Sequence, residues 1–176
     1  ERKQLQIAAC KLRMGVIEAT HGAKAGHPGG SLSATEMFTY LYFQELNIDP
    51  KNPKWADRDR FILSKGHAAV AYAPVLCDLG FNDKEMLKTF NLSGSKMGMH
   101  LDSNKVGGAD ASTGSLGHGL SIAVGTALAA RVTGRKYMTF CVLGDGECDE
   151  GAIWEAALIA NQYKLDNFIV TIDFNK

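Results

Sequence analysis

The stretch from Tyr137 to Asn175 constrains the fold more than any other part of the chain. Tyr137 to Leu143 is a nearly continuous apolar run that ends in Gly144-Asp145-Gly146. From Gly151 to Tyr163 the apolar residues Ile153, Trp154, Ala157, Leu158 and Ala160 recur at helical spacing. A second apolar run, Phe168 to Ile172, ends in Asp173-Phe174-Asn175. Strand, helix and strand in that order predict a right-handed βαβ unit, and a strand without polar alternation suits a parallel sheet buried on both sides. The expected fold class is therefore α/β, a parallel sheet with helices on both faces. Such a unit delivers Asp145 and Asn175 to the ends of neighbouring strands, at the carboxyl edge where open α/β sheets bind ligands. A carboxylate and an amide carbonyl there suit Mg2+, which takes few protein oxygens and completes its shell with phosphate. A helix cap by Asp145 and a plain turn at Asn175 are the alternative readings of the same residues.

Two familiar motifs are excluded. Asp145-x-Glu147-x-Asp149 begins like a calcium loop, but its sixth position is Glu150 where Gly is needed and its twelfth is Ala156 where Glu is needed. Gly144, Gly146 and Gly151 miss the Gly-x-Gly-x-x-Gly dinucleotide spacing, because the third glycine falls two residues late. Glu150 and Glu155 flank the start of the expected helix, where carboxylates favour the helix dipole without further purpose.

Upstream, Leu5, Ala8, Ala9, Leu12, Val16 and Ile17 form the apolar stripe of a helix from Lys3 to about Thr20. Gly26-His27-Pro28-Gly29-Gly30-Ser31 reads as a shaped loop, and Ser33 with Glu36 as a capping box opening a helix to about Leu46. Phe61-Ile62-Leu63-Ser64 is a short buried strand that delivers Lys65-Gly66-His67. Ala68 to Leu79 is the next helix, stopped by Gly80, and Asn82 with Glu85 makes a second capping box for a short helix to Phe90. Ser93 to Gly117 is glycine-rich without apolar periodicity, and a loop of that length is usually functional or disordered. It feeds a helix running through Leu120 and Ala130, whose N-terminus favours anions. Of the five histidines, His27, His67, His100 and His118 lie in these glycine-rich loops, where they suit proton transfer or hydrogen bonds to a polar substrate.

Composition narrows the partners. At 176 residues the chain fits one domain. Nineteen basic and nineteen acidic residues cancel, leaving no overall field to attract nucleic acid or an anionic membrane. No stretch approaches the roughly 18 apolar residues of a membrane span, and Glu1 to Leu5 lacks a signal-peptide layout, so the cytoplasm is the default location. Cys10, Cys77, Cys141 and Cys148 show no zinc-like spacing and read as reduced structural thiols.

Taken together, these motifs resemble the N-terminal, diphosphate-binding part of transketolase over essentially all 176 residues. The family's Gly-His-Pro-Gly loop is Gly26 to Gly29, and its Pro-x-x-Pro-x-Trp-x-x-Arg-Asp-Arg-Phe run resembles Pro50 to Phe61. Ser-x-Gly-His is Ser64 to His67, and Thr-Gly-x-Leu-Gly is Thr113 to Gly117. The thiamine diphosphate motif, Gly-Asp-Gly followed about 30 residues on by Asn, is Gly144-Asp145-Gly146 to Asn175. The chain departs from the family pattern at Gly98-Met99-His100-Leu101-Asp102, where Gly-His-Pro-Glu is usual, and at His118, where Gln usually follows Leu-Gly.

The resemblance implies thiamine diphosphate and Mg2+ as cofactors. Asp145 and Asn175 would ligate the metal, with a third ligand from a backbone carbonyl two residues past Asn175, beyond Lys176. The domain is thus expected to be incomplete at its C-terminus. His67, Gly144 and Gly146 would lie along the diphosphate, Gly114 and Leu116 beside the aminopyrimidine, and His27 and His100 beside the sugar. Glu150 and Glu155 resemble the acidic pair that links two active sites across a subunit interface. The implied chemistry is transfer of a two-carbon ketol unit from a ketose phosphate to an aldose phosphate, with the cofactor as electron sink. The pyrimidine-binding domain lies outside this sequence. The expectation is therefore a split transketolase, inactive until a separate pyrimidine-binding subunit joins it in an oligomer. The alternatives are a 1-deoxyxylulose-5-phosphate synthase-like enzyme, disfavoured by Thr113-Gly114-Ser115-Leu116-Gly117, and a non-catalytic scaffold half.

Overall fold

The computed structural model describes residues 2–176, which divide into two compact units. One comprises the residues up to Pro53 together with His67–Ala109; the other comprises Lys54–Gly66 and Asp110–Lys176.

The first unit is helical. Helix α1 (Arg2–Ala23) buries Ala9, Leu12, Val16 and Ala19, the three- and four-residue spacing of one helix face. Ile17, expected on that stripe, is instead 57% exposed. Where the sequence reads as a loop, Pro28–Leu32 forms a one-turn helix, α2, with Pro28 opening it; its preset φ and missing N–H suit that place. The expected Ser33 and Glu36 capping box does not form. Ser33 itself has helical φ/ψ at the end of α2, so it cannot take the extended N-cap geometry, and its hydroxyl donates to Gly30 O at 3.2 Å. Helix α3 (Thr35–Tyr40) starts after Ala34 with no side-chain cap and runs into a π turn, Leu41–Glu45.

Helix α4 (Ala69–Asp78) is buried from Ala69 to Cys77. It packs on α1 where Gly15 faces Pro74, since a Cβ at Gly15 would lie 3.0 Å from the proline Cβ. The second expected capping box also fails. The 3-10 turn Lys84–Thr89 is capped by Asp83, which accepts the Glu85 N–H at 3.0 Å. Asn82 instead uses both ends of its amide on Gly107, donating to its carbonyl at 2.8 Å and accepting its N–H at 2.9 Å. That pair of hydrogen bonds ties the irregular segment to the chain just past α4. Tyr72 stacks on Phe38 at 5.7 Å, accepts the Tyr42 hydroxyl at 2.8 Å and donates to Gly108 O at 3.1 Å.

The second unit carries the sheet. Strands β1 (Arg60–Leu63), β2 (Thr139–Gly144) and β3 (Phe168–Asp173) pair in parallel in the order β1-β2-β3. The register sets Leu63 beside Val142 and Gly144 beside Asp173. Helices α5 (His118–Val132) and α6 (Gly151–Gln162) contribute Leu120, Ala123, Val124, Ile153 and Ala156 to a core with Ile62, Cys141 and Leu143. The alternate strand positions Phe61, Leu63, Phe140 and Val142 are buried as well, so β1 and β2 are buried on both sides as their unbroken apolar runs require. Among the described residues β3 pairs with β2 alone, and it leaves Ile169 and Ile172 exposed. Ahead of β1, Arg58 grips Asp110 with two hydrogen bonds, and the Asp110 carboxylate also accepts the Phe61 N–H at 2.9 Å. Among the described residues no helix is long and apolar enough to cross a membrane.

Candidate functional site

In the second unit the ends of β2 and β3 meet as the βαβ pattern requires. The ladder runs one residue past Gly144, with the Asp145 N–H donating to Asp173 O at 3.2 Å. Asp145 is half-buried and opens the 3-10 turn Gly146–Asp149 with no side-chain cap bond, so the helix-cap alternative is not realised. Asn175 lies two residues past β3, and its amide nitrogen donates to Asp173 Oδ2 at 3.2 Å. A carboxylate and an amide carbonyl thus sit past adjacent strand ends.

Two buried charged groups lie beneath this edge. Lys65, just past β1, is fully buried, and its Nζ is 2.5 Å from Asp173 Oδ2. Glu147 is 2% exposed and accepts three hydrogen bonds. Its Oε1 takes the Ser64 hydroxyl at 2.5 Å and the Gly117 N–H at 2.8 Å, and its Oε2 takes the Gly144 N–H at 3.1 Å. One carboxylate therefore ties together the end of β1, the end of β2 and the entry to α5. Burial, reinforced by the carboxylates of Glu147, Asp145 and Asp149, pushes the thiol pKa of Cys148, next in the chain, up.

Three glycines of this unit, Gly66, Gly117 and Gly119, mark close approaches. A Cβ at Gly66 would lie 2.7 Å from Gly114 N, so the Thr113-Gly114 backbone rests directly on Gly66, and Thr113 Oγ1 fixes it by donating to Leu63 O at 2.5 Å. At Gly119, the second residue of α5, a Cβ would fall 2.5 Å from Ser64 Cα. Gly117 holds φ +85 and has room for no side chain because Glu150 Cβ stands 2.8 Å from where its Cβ would be. Leu116 is exposed beside this loop. Glu155 is exposed on α6.

In the first unit, His27 at the start of α2 and His67 in the 3-10 turn ahead of α4 meet edge to face, ring centroids 5.5 Å apart and planes at 78°. His100 is exposed in the irregular segment between the buried side chains of Met97 and Leu101. His118, exposed, is the first residue of α5 in the second unit.

Among the described residues no three His, Cys, Asp or Glu side chains gather as a metal cage. One carboxylate and one amide oxygen at a sheet edge instead fit a hard divalent cation whose remaining ligands come from phosphate. The residues present therefore fit Mg2+ with a diphosphate.

Glu147, Lys65 and Asp173 escaped the reading of the sequence. Glu147 sits in a run of acidic residues that looks solvated, and Lys65 looks like the polar end of a strand. The one available signal was Ser64-Lys65 directly continuing a wholly apolar strand, since a lysine there has to be buried with a partner.

The family description "Transketolase, thiamine diphosphate binding domain" matches residues 4–176. An apulose-4-phosphate transketolase subunit from Phocaeicola vulgatus is 43% identical over 172 residues, covering 98% of this chain and 61% of that protein. The 6-deoxy-6-sulfo-D-fructose transketolase subunit SqwG of Clostridium sp. strain MSTE9 is also 43% identical over 172 residues, covering 98% of this chain and 62% of that protein. Among solved structures, transketolase from Campylobacter jejuni superposes with a TM-score of 0.91 at 35% identity, over 96% of this chain and 28% of that one. The chain spans about three fifths of the length of the two subunit relatives.

Proposed function

The chain belongs to the transketolase family, and we propose that residues 1–176 are the thiamine diphosphate and Mg2+ binding domain of a two-chain transketolase. A separate pyrimidine-binding subunit completes it in a cytoplasmic oligomer, and the pair moves a two-carbon ketol unit from a ketose to an aldose. The observation that carries this is the delivery of Asp145 and Asn175 to the carboxyl ends of adjacent parallel strands. The two relatives named as subunits support a divided enzyme. Their names, one an apulose-4-phosphate and the other a 6-deoxy-6-sulfo-D-fructose enzyme, support sugars carrying an anionic group as the substrate class.

When bound, the cofactor supplies a carbon nucleophile and an electron sink for breaking and making the ketol bond. The chain's own residues hold and orient. Asp145 and Asn175 ligate Mg2+, and Gly144, Gly146 and His67 line the diphosphate. Gly114 and Leu116 form a wall for the aminopyrimidine, Leu116 by apolar contact. His27 and His100 hydrogen-bond the sugar hydroxyls and move protons at the substrate oxygens. Glu150 and Glu155 link this site with a second one across the subunit interface.

The test is calorimetric titration of thiamine diphosphate with and without Mg2+ on the chain assembled with its partner. Asp145→Ala is expected to abolish the Mg2+-dependent part of binding, and unchanged binding would remove the metal assignment.

A further inference from the structure

The row at the carboxyl edge of the sheet contains a charge that ligand binding by itself does not require. Ser64 N–H and Lys65 N–H both donate to Val142 O, so β1 continues alongside β2 and sets Lys65 in the same row as Gly144, with Asp173 on the far side. β1 and β3 are not neighbours, yet Lys65 Nζ reaches Asp173 Oδ2 at 2.5 Å. It does so by passing over Gly144, the one position in the row without a side chain. A Cβ at Gly144 would already be in contact with the Lys65 Cβ, at 3.8 Å. The lysine is fully buried and the Asp173 side chain nearly so. The same Asp173 oxygen accepts the Asn175 amide nitrogen at 3.2 Å.

The geometry points to Lys65 and Asp173 as positioning residues for the metal: a strap across β2 that sets which end of the Asn175 amide faces the cation. With the amide nitrogen directed at Asp173, Oδ1 is the end presented to Mg2+, whereas a flipped amide would present a donor to a cation. Lys65 in turn fixes the Asp173 carboxylate and compensates its buried charge. Partners that orient a ligand in this way are commonly worth 10- to 100-fold in metal affinity. The inference rests on Asn175 being a metal ligand, as proposed above.

Single substitutions at the pair leave a buried charge unpaired and threaten folding, so the test uses two neutral double variants. Lys65→Met/Asp173→Asn keeps an oxygen acceptor for the Asn175 amide. Lys65→Met/Asp173→Leu keeps the bulk and removes the acceptor. Each, with the parent and Asn175→Ala, is assembled with the partner chain and titrated with Mg2+ at fixed thiamine diphosphate, while thermal unfolding reports stability. The expected result is a 10- to 100-fold loss of Mg2+ affinity in the Leu double variant, approaching that of Asn175→Ala. The Asn double variant should stay within a few-fold of the parent, at closely similar unfolding temperatures. Equal Mg2+ affinity in the two double variants overturns the strap, even if Asn175→Ala still weakens binding and so upholds the site. Parental Mg2+ affinity in Asn175→Ala overturns the ligand assignment and the strap with it.

Discussion

Removing the Glu147 carboxylate should be among the most damaging single changes in the second unit, and its cost can be worked from its contacts. Glu147→Ala deletes three hydrogen bonds and strands the Ser64 hydroxyl and the Gly117 and Gly144 N–H groups in a buried place. A hydrogen bond to a charged group contributes about 1.5–3 kcal/mol, and a buried group left unsatisfied costs about 1–3 kcal/mol. Against that, the alanine variant no longer desolvates a carboxylate, which returns several kcal/mol. The net expected loss is about 3–5 kcal/mol. Glu147→Gln keeps the volume and one good acceptor for Ser64 and Gly117, but turns an amide N–H2 toward the Gly144 N–H, donor against donor. It should lose about 1–3 kcal/mol. Urea unfolding followed by tryptophan fluorescence measures both, because Trp55 and Trp154 are the chain's only tryptophans and both belong to this unit. With a slope of about 2 kcal/mol/M, the alanine variant should unfold about 1.5–2.5 M earlier at unchanged slope. A midpoint within about 0.3 M of the parent, or a glutamine variant less stable than alanine, would refute the assignment of Glu147 as the tie between these three backbone segments.

Other outcomes are expected from the same contacts. Gly119→Ala places a Cβ 2.5 Å from Ser64 Cα, a backbone atom that cannot swing aside, so α5 must shift off β1 and the variant should lose at least about 2 kcal/mol in the same assay. Tyr72→Phe removes the hydroxyl that donates to Gly108 O and accepts from Tyr42, and should cost about 1–2 kcal/mol in thermal unfolding with the fold retained. Cys10 is exposed, whereas burial pushes the Cys77 thiol up to about 11 and raises that of Cys141 further. A thiol reagent at pH 8 should therefore label Cys10 first in the native protein and reach Cys77 and Cys141 only in denaturant, as mass spectrometry of timed samples would show. Rapid native labelling of Cys141 would contradict the closed core of the second unit.

Local pattern carried most of the element order. The strands at Phe61 and Phe168, the crossover helix from Gly151 and the helix stop at Gly80 follow from apolar period and turn chemistry, which act over a few residues and need no distant partner. The capping boxes at Ser33 and Asn82 failed for two different reasons. Ser33 was already helical at the end of α2, and Asn82 had a two-bond partner in Gly107, 25 residues away. At Ser33 the neighbouring helical turn outranks the cap motif, and at Asn82 a long-range pair of hydrogen bonds does.

By itself the sequence set Asp145 and Asn175 at the carboxyl ends of two strands joined by a helix, and consecutive strands of that kind usually lie side by side. It also determined the family, through ordered motifs spread over the whole chain. Only the tertiary structure decided what lies beneath those two residues. Lys65 meets Asp173 across 108 positions and Glu147 meets Ser64 across 83. Charges so far apart in sequence look like ordinary solvated side chains until the sheet closes over them and withdraws the water. Burial then makes the pairing of each charge a condition of the fold.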